Sequence, residues 1–236
     1  MSATLSVISL ILVVVILLSF QLTPATFSIF YHYALGKHSN KKADDLSLSF
    51  ILGVEFYIAT VWLSSYLIIY SIFVNLPDFR NHILLWILAG IVVAEAIIFF
   101  FYYFRRDKSR RASTALFIPR RFSTTITTRA QQAKTRRDVF VLGFFTGVPE
   151  LIFTLPLFAI GSLLLMNSII LPSTLTTIIV VLLATVPLFV IRIAFRSGNN
   201  LASIQRFRAF IKPALRLFTP LCLLALALTL INLGLL

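Results

Sequence analysis

Three glutamates stand inside long apolar stretches of this sequence, where an acidic side chain is unexpected. Glu55, Glu95 and Glu150 are each flanked by Leu, Ile, Val, Ala and Phe. A charged side chain at the centre of a bilayer costs about 2.5–3.5 kcal/mol on insertion scales, so each site needs compensation by protonation, hydrogen bonding or water. Intramembrane carboxyls are therefore candidate functional groups. The alternative for each is an interhelical hydrogen bond that only stabilises packing.

Glu150 is the strongest candidate because it directly follows a proline, in the stretch Thr146-Gly-Val-Pro-Glu150. Proline lacks a backbone donor and disfavours helix just before it, so carbonyls near Pro149 lose their helical partners and can line a cavity. Removal from water disfavours the charged form of a carboxyl, which predicts that Glu150 loads and releases a proton. The alternative is a protonated Glu150 bonded to a neighbouring carbonyl.

A few other polar or small residues could take part. Arg192 lies about one turn inside the end of the fifth apolar segment, where its side chain either snorkels to the interface or pairs with a glutamate or an anionic substrate. Gly53 would permit the close approach of another helix. Thr23, Thr146 and Thr154 lie near prolines and can supply neutral hydrogen bonds.

Signatures of enzymes and metal sites are absent from the sequence. It has no Walker loop, no His-Glu-x-x-His, no Gly-x-Ser-x-Gly and no Asp-rich metal run. The single cysteine, Cys222, cannot form an internal disulfide or a dithiol pair, and the three histidines are scattered. We therefore expect no enzyme activity, no cofactor and no metal site.

Transmembrane helices are the elements that must position these residues. Of 236 residues, 59% are hydrophobic and 12% are charged, whereas a soluble domain carries about a quarter charged residues. Long apolar runs recur along the chain, and their length is typical of helices that cross the bilayer. The apolar segments stand at about 5–36, 50–75, 82–104, 139–166, 169–195 and 214–236. The sequence predicts an all-α polytopic membrane protein with six transmembrane helices.

Positive charge is concentrated in three parts of the chain. Of the 21 Lys and Arg residues, all but Arg80 lie within residues 37–48, 105–138 and 192–216. Because basic loops face the cytoplasm, we predict both termini outside and cytoplasmic loops at 37–48, 105–138 and 196–213. We expect the cytoplasmic membrane of a prokaryote as the location. The first segment is expected to stay uncleaved, since it lacks a basic leader and a small-residue cleavage site.

The basic loop at 105–138 has a modest interpretation. It sets topology and attracts anionic lipid headgroups, at about 1 kcal/mol per basic residue near the surface. Nucleic-acid binding would need a folded module or stacking aromatic residues, and only Phe117 and Phe122 are available there. The expected partners are therefore the bilayer and a small solute, without nucleic acid. Formation of a homo-oligomer is left open.

Two of the apolar segments are interrupted in a similar way. Pro24 and Pro149 are each followed twelve positions later by a glycine, Gly36 or Gly161, that comes after Ala-Leu or Ala-Ile. The first segment, at nearly 50 Å as a helix, is too long for about 30 Å of hydrocarbon, so a break is expected at Gln21–Pro24. Paired interrupted helices indicate a binding site at the midplane of a transporter. Chance similarity between two apolar stretches is the alternative.

The charge rule makes the two interrupted segments run in opposite directions. The chain therefore divides into a first three-helix repeat at 1–104, the basic loop at 105–138 and a second three-helix repeat at 139–236. Because each repeat has an odd number of spans, the two repeats are inverted with respect to each other. We expect a pair of inverted repeats whose first helices are both broken.

This layout resembles the lysine-exporter-like (LysE) superfamily and the related transmembrane electron carriers of the DsbD/CcdA type. The resemblance implies inverted three-helix repeats with a proline motif in the first helix of each half. The electron carriers place a cysteine directly after each proline, where this chain has Ala25 and Glu150, so electron transfer between thiols is rejected. The motifs that carry the resemblance are Thr23-Pro24 with Gly36, Gly147-Val-Pro149 with Gly161, and Val186-Pro187-Leu188-Phe189.

We therefore expect a secondary transporter or exporter of a small solute, coupled to protons or cations through a glutamate at the midplane. Glu150 would be the coupling residue, in a site between the two breaks. Glu95 and Glu55 would line the pathway as secondary residues. The remaining predicted site residues are Pro149, Gly147, Pro24, Thr23 and Arg192. The alternative is a non-transporting membrane scaffold or a subunit of a membrane complex.

Overall fold

The chain is all-helical wherever the structure, a computed structural model, describes it, with no strand in those ranges. The described residues are 3–21, 40–75, 82–106, 128–130, 132–133, 135–167, 173–196 and 201–235. The helices are α1 (Ala3–Gln21), α2 (Asn40–Asn75), α3 (His82–Arg106), α4 (Arg136–Thr146), a 3-10 turn (Val148–Glu150), α5 (Leu151–Asn167), α6 (Ser173–Arg196) and α7 (Leu201–Leu235).

Five stretches of helix are long and apolar enough to cross a membrane. They lie in α1, α2, α3, the combined α4–α5 unit and α6, and α7 adds a shorter apolar stretch at Leu217–Leu233. Large apolar side chains cover the outside of these helices, among them Leu67, Ile152 and Ile193. These features are those of an integral membrane protein with five to six spans.

Several helix boundaries differ from the sequence-based prediction. Helix α1 is described up to Gln21, and the rest of the predicted break at Gln21–Pro24, with Thr23, Pro24 and Gly36, lies outside the described residues. Helix α2 begins at Asn40 and α7 at Leu201, about three turns before the apolar runs start, so the predicted loops at 37–48 and 196–213 are partly helical. Helix α4 begins at Arg136 rather than 139. Hydropathy marks where hydrocarbon begins, but Lys, Arg, Gln and Ala continue a helix into the polar region.

Helix packing intermixes the two halves of the chain. Within the described residues, each substantial interface between helices distant in sequence joins one of α1–α3 to one of α4–α7. The most extensive are α3 with α7 and α2 with α4, followed by α1 with α7 and α2 with both α5 and α6. Neither half therefore forms a separate bundle, and the core lies between them.

Polar contacts define the directions of the helices. Ser9 donates to Thr229 at 2.9 Å and Thr219 donates to Ser19 at 3.1 Å, so α1 and α7 are antiparallel. At one end of the bundle Asp44 pairs with Arg192 and Asp45 pairs with Arg136. We call this end, where α2 and α4 begin and α6 ends, the basic end. Helices α2 and α4–α5 thus run parallel, as the alternating topology predicted, and α6 runs against them.

Helices α2 and α4 approach until their backbones touch. A Cβ atom added to Gly53 would lie 2.1 Å from the Phe140 carbonyl oxygen, and one added to Gly143 would lie 2.3 Å from the Phe50 carbonyl oxygen. Only glycine at both positions allows this separation. The prediction that Gly53 permits the close approach of another helix is confirmed.

Candidate functional site

The predicted break at Pro149 is present as a single 3-10 turn between α4 and α5. The Glu150 amide donates to the Gly147 carbonyl at 3.0 Å, whereas in a continuous α-helix it would donate to Thr146. Pro149 has no N–H, so the Phe145 carbonyl also lacks its helical donor. The break therefore releases two successive carbonyls from the α-helical pattern. Further along the chain, α5 continues through Pro156 without interruption.

Tyr57 of α2 lies directly against this break. A Cβ atom on Gly147 would stand 2.2 Å from Cε1 of the Tyr57 ring, so the phenol occupies the space that any other residue at position 147 would fill. The ring of Phe144 contacts Tyr57 edge-on at a centroid distance of 5.8 Å. Tyr57 was not among the residues predicted from the sequence. In the sequence, Tyr57 is distinguished only as a polar aromatic residue close to Glu55 in an apolar run.

Three oxygen-bearing side chains lie close together at the break. Glu150 is 8% exposed, and Tyr57 and Thr154 are each 4% exposed. The Tyr57 hydroxyl lies beside Thr154 and near Glu150, but the two hydroxyls are not aligned for a hydrogen bond of normal geometry with each other or with another described residue. We call Tyr57, Glu150 and Thr154 the break site. It is a buried cluster of oxygen atoms with unused capacity for ligands.

Glu150 and Thr154 lie on the same face of the chain because the α-helix resumes directly after the break. Residues four positions apart lie on the same face of an α-helix, one turn above each other. Helix α5 begins at Leu151, so the carboxyl and the hydroxyl both face α2. Thr146 is differently placed, because its hydroxyl donates to the Gly143 carbonyl at 2.6 Å and so satisfies part of the end of α4.

Glu95 of α3 is also buried, but at a different depth along the bundle axis from Glu150. It is 6% exposed, and its neighbour one turn along the helix, Phe99, packs edge-on against Phe20 at 5.7 Å and Phe153 at 5.5 Å. We call these three rings the aromatic layer. Because α3 runs towards the basic end and α5 away from it, Glu95 and Glu150 lie on opposite sides of this layer, about 10 Å apart along the bundle axis.

Glu55 points towards helix α6 rather than towards the break site. Thr185 of α6 donates to Glu55 Oε1 at 3.1 Å and also approaches the Val181 carbonyl at 3.0 Å. Side chains two residues apart point about 200° around a helix, so Glu55 and Tyr57 lie on different sides of α2. This contact matches the packing alternative stated for Glu55, an interhelical hydrogen bond.

Arg192 pairs with an aspartate at the basic end and with none of the glutamates. Its Nε and terminal nitrogen contact the two carboxylate oxygens of Asp44, each at 3.0 Å. Asp45 accepts from Arg136, so two adjacent acids join α2 to α6 and α4. Both aspartates fall in a segment predicted as a loop, so these pairs were not expected from the sequence. The signal was an acidic pair in an otherwise basic segment.

The described residues contain no group of three or more His, Cys, Asp or Glu side chains that could hold a metal ion. Cys222 is buried as a free thiol in α7. Of the predicted site residues, the structure brings Glu150, Pro149 and Gly147 together and places Glu95, Glu55 and Arg192 elsewhere. Thr23 and Pro24 fall outside the residues that the structure describes.

Comparison of the chain with protein-family models, with curated proteins and with solved structures found no match. The resemblance to the lysine-exporter-like superfamily therefore stays a prediction from sequence motifs.

Proposed function

We propose that this protein is a secondary transporter that moves a small solute across the membrane, with Glu150 as the proton- or cation-coupling residue. The observation that carries the proposal is a buried carboxyl beside a proline break in a helix that packs against the other half of the chain. A carboxylate charge buried in a membrane is costly, and acidic residues at such positions are typical of ion and substrate pathways.

The set of helix interfaces supports an inverted repeat. Exchanging α1 with α5, α2 with α6 and α3 with α7 turns the α1–α6 interface into α2–α5, and the α1–α7 interface into α3–α5. The α1–α5, α2–α6 and α3–α7 interfaces are each unchanged by this exchange, and all seven of these interfaces occur, while the extensive α2–α4 interface has no counterpart. Correspondence among these seven interfaces is expected of two repeats related by a two-fold axis in the membrane plane.

The two buried glutamates suit a pathway with two compartments. Glu150 lies on the basic-end side of the aromatic layer and Glu95 on the other side. Packed aromatic rings hinder the passage of water, and separation of these three rings would connect the two compartments. We assign Glu95 to the pathway beyond the barrier. Glu55, which is held by Thr185, has a structural role in this proposal.

Flux through reconstituted protein tests the function. Proteoliposomes would be screened with a panel of amino acids, small cations and small anions, while a pH-sensitive dye reports proton movement. Wild type should show solute-dependent flux, Glu150→Gln should lose most of it, and Glu55→Gln should retain it as the matched control. Absence of flux in the folded wild-type protein across the panel would favour the alternative, a non-transporting scaffold or subunit.

Orientation is a separate part of the proposal. We propose that the basic end faces the cytoplasm of a prokaryote, because basic segments are retained on that side and attract anionic lipid headgroups. Cysteines introduced singly into residues 105–138, in a Cys222→Ser background, should react with an impermeant thiol reagent in inverted vesicles and not in intact cells. The reverse result would place the basic end outside.

A further inference from the structure

We propose that the break site binds one alkali cation, with the Glu150 carboxylate and the Tyr57 and Thr154 hydroxyl oxygens as side-chain ligands. This inference rests on the proposed function, since it names the coupling ion, and Na⁺ is the cation to be tested first. The first observation is that the three groups converge. The Tyr57 ring lies on Gly147, and Thr154 stands one turn above Glu150 on the same helix face.

The second observation is that this cluster lacks partners. The Tyr57 and Thr154 hydroxyl oxygens are both buried without a hydrogen bond to any described residue, and the Glu150 side chain beside them is also buried. Buried polar groups are nearly always satisfied, so two adjacent hydroxyls without a protein partner indicate a position suited to an ion or water. A cation has several coordination positions and can use all three groups at once. A protonated Glu150 has a single O–H donor, which can reach only one of the two hydroxyl oxygens at a time, whereas a cation can hold both oxygens as ligands.

The third observation is the kind and charge of the ligands. Carboxylate, hydroxyl and carbonyl oxygens are hard donors that suit alkali and alkaline-earth ions rather than thiophilic metals. Glu150 is the one acidic side chain at the site among the described residues, so it balances a single positive charge. A divalent ion would leave an excess charge buried in the membrane. The carbonyls of Phe145 and Thr146, released by the break, are nearby backbone oxygens of the type that coordinates Na⁺ in other broken helices.

Thermal unfolding of the purified protein in detergent tests this site without requiring transport. Tm would be measured as NaCl replaces choline chloride at constant ionic strength, with KCl and LiCl in parallel. A cation that binds only the folded state at 100 times its Kd raises the folded-to-unfolded ratio about a hundredfold. For a chain of this size we expect Tm to rise by about 5–10 °C, with saturation.

Conservative variants locate the effect. Tyr57→Phe keeps the ring on Gly147 and removes only the hydroxyl, and Thr154→Val removes the second hydroxyl at similar volume. Each should shift the Na⁺ midpoint at least tenfold, and Glu150→Gln should abolish the response. The matched controls are Tyr70→Phe and Thr60→Val, which remove exposed hydroxyls from α2 and should leave the midpoint unchanged. Binding of radioactive Na⁺ to equal amounts of folded protein provides the same comparison if a variant has an altered baseline Tm.

Three results would overturn the site. Na⁺, K⁺ and Li⁺ could act no differently from choline on the wild-type protein, the control variants could lose the response equally, or the break-site variants could keep it. If solute flux then proceeds with protons alone, the transporter proposal stands and only the cation site fails. If Na⁺ binds as expected but no solute moves, the site stands and the transporter proposal fails.

Discussion

Replacement of Gly53 by alanine should destabilise the protein through one identifiable contact. The added Cβ would lie 2.1 Å from the Phe140 carbonyl oxygen and 3.0 Å from the Phe144 amide nitrogen, both of them backbone atoms that cannot rotate away. Helices α2 and α4 must then separate by about 1 Å to restore a normal contact. Overpacking of this kind costs about 1–3 kcal/mol, which is about a five- to 150-fold change in the unfolding equilibrium.

The chain offers a matched control for this substitution. A Cβ added to Gly90 of α3 would have no atom within 4 Å, so Gly90→Ala makes the same chemical change without a clash. Equilibrium unfolding in mixed micelles should show Gly53→Ala less stable than wild type and Gly90→Ala at least as stable, because alanine is the better helix former. Equal stability of Gly53→Ala and Gly90→Ala would refute the backbone contact between α2 and α4.

The same substitution has a consequence for the break site. Gly53 lies one turn before Tyr57 on α2, so a separation at Gly53 also lifts the Tyr57 ring from Gly147. We expect any Na⁺-dependent rise in Tm to shrink in Gly53→Ala and to persist in Gly90→Ala. A full Na⁺ response in folded Gly53→Ala would mean that the Tyr57 hydroxyl is not positioned by this helix contact.

Two smaller effects follow from the polar contacts between the halves. Asp44→Asn and Arg192→Gln should each lower the free energy of unfolding by about 1–2 kcal/mol, since the pair is partly exposed, and the exchange Asp44→Arg with Arg192→Asp should recover part of the loss. No recovery in the exchanged protein would refute direct pairing. Ser9→Ala should cost about 0.6 kcal/mol, the average for interhelical hydrogen bonds in membranes, and in a Thr229→Val background it should cost nothing. An undiminished cost there would show that Ser9 acts through another contact.

Hydropathy and proline placement were sufficient to predict the helical class, the membrane location and the break at Pro149. These are local properties, because about 20 apolar residues in hydrocarbon must satisfy their backbone as a helix and proline removes one donor wherever it stands. The burial of Glu95 and Glu150 was also predictable, since each lies in the middle of an apolar run. Helix ends were less predictable, because polar residues such as those at 40–45 continue a helix beyond the hydrocarbon.

The tertiary structure alone decided which side chains meet. Glu55 and Tyr57 are two residues apart, but the rotation of the helix turns one towards Thr185 and the other towards Glu150. Glu95 and Glu150 both lie inside apolar runs, yet the aromatic layer separates them. Such assignments depend on how helices from the two halves are rotated and paired, and apolar composition is nearly the same around every helix. The sequence by itself therefore determined that buried carboxyls exist, and packing determined that, among the described glutamates, Glu150 is the one with two unpaired hydroxyls beside it.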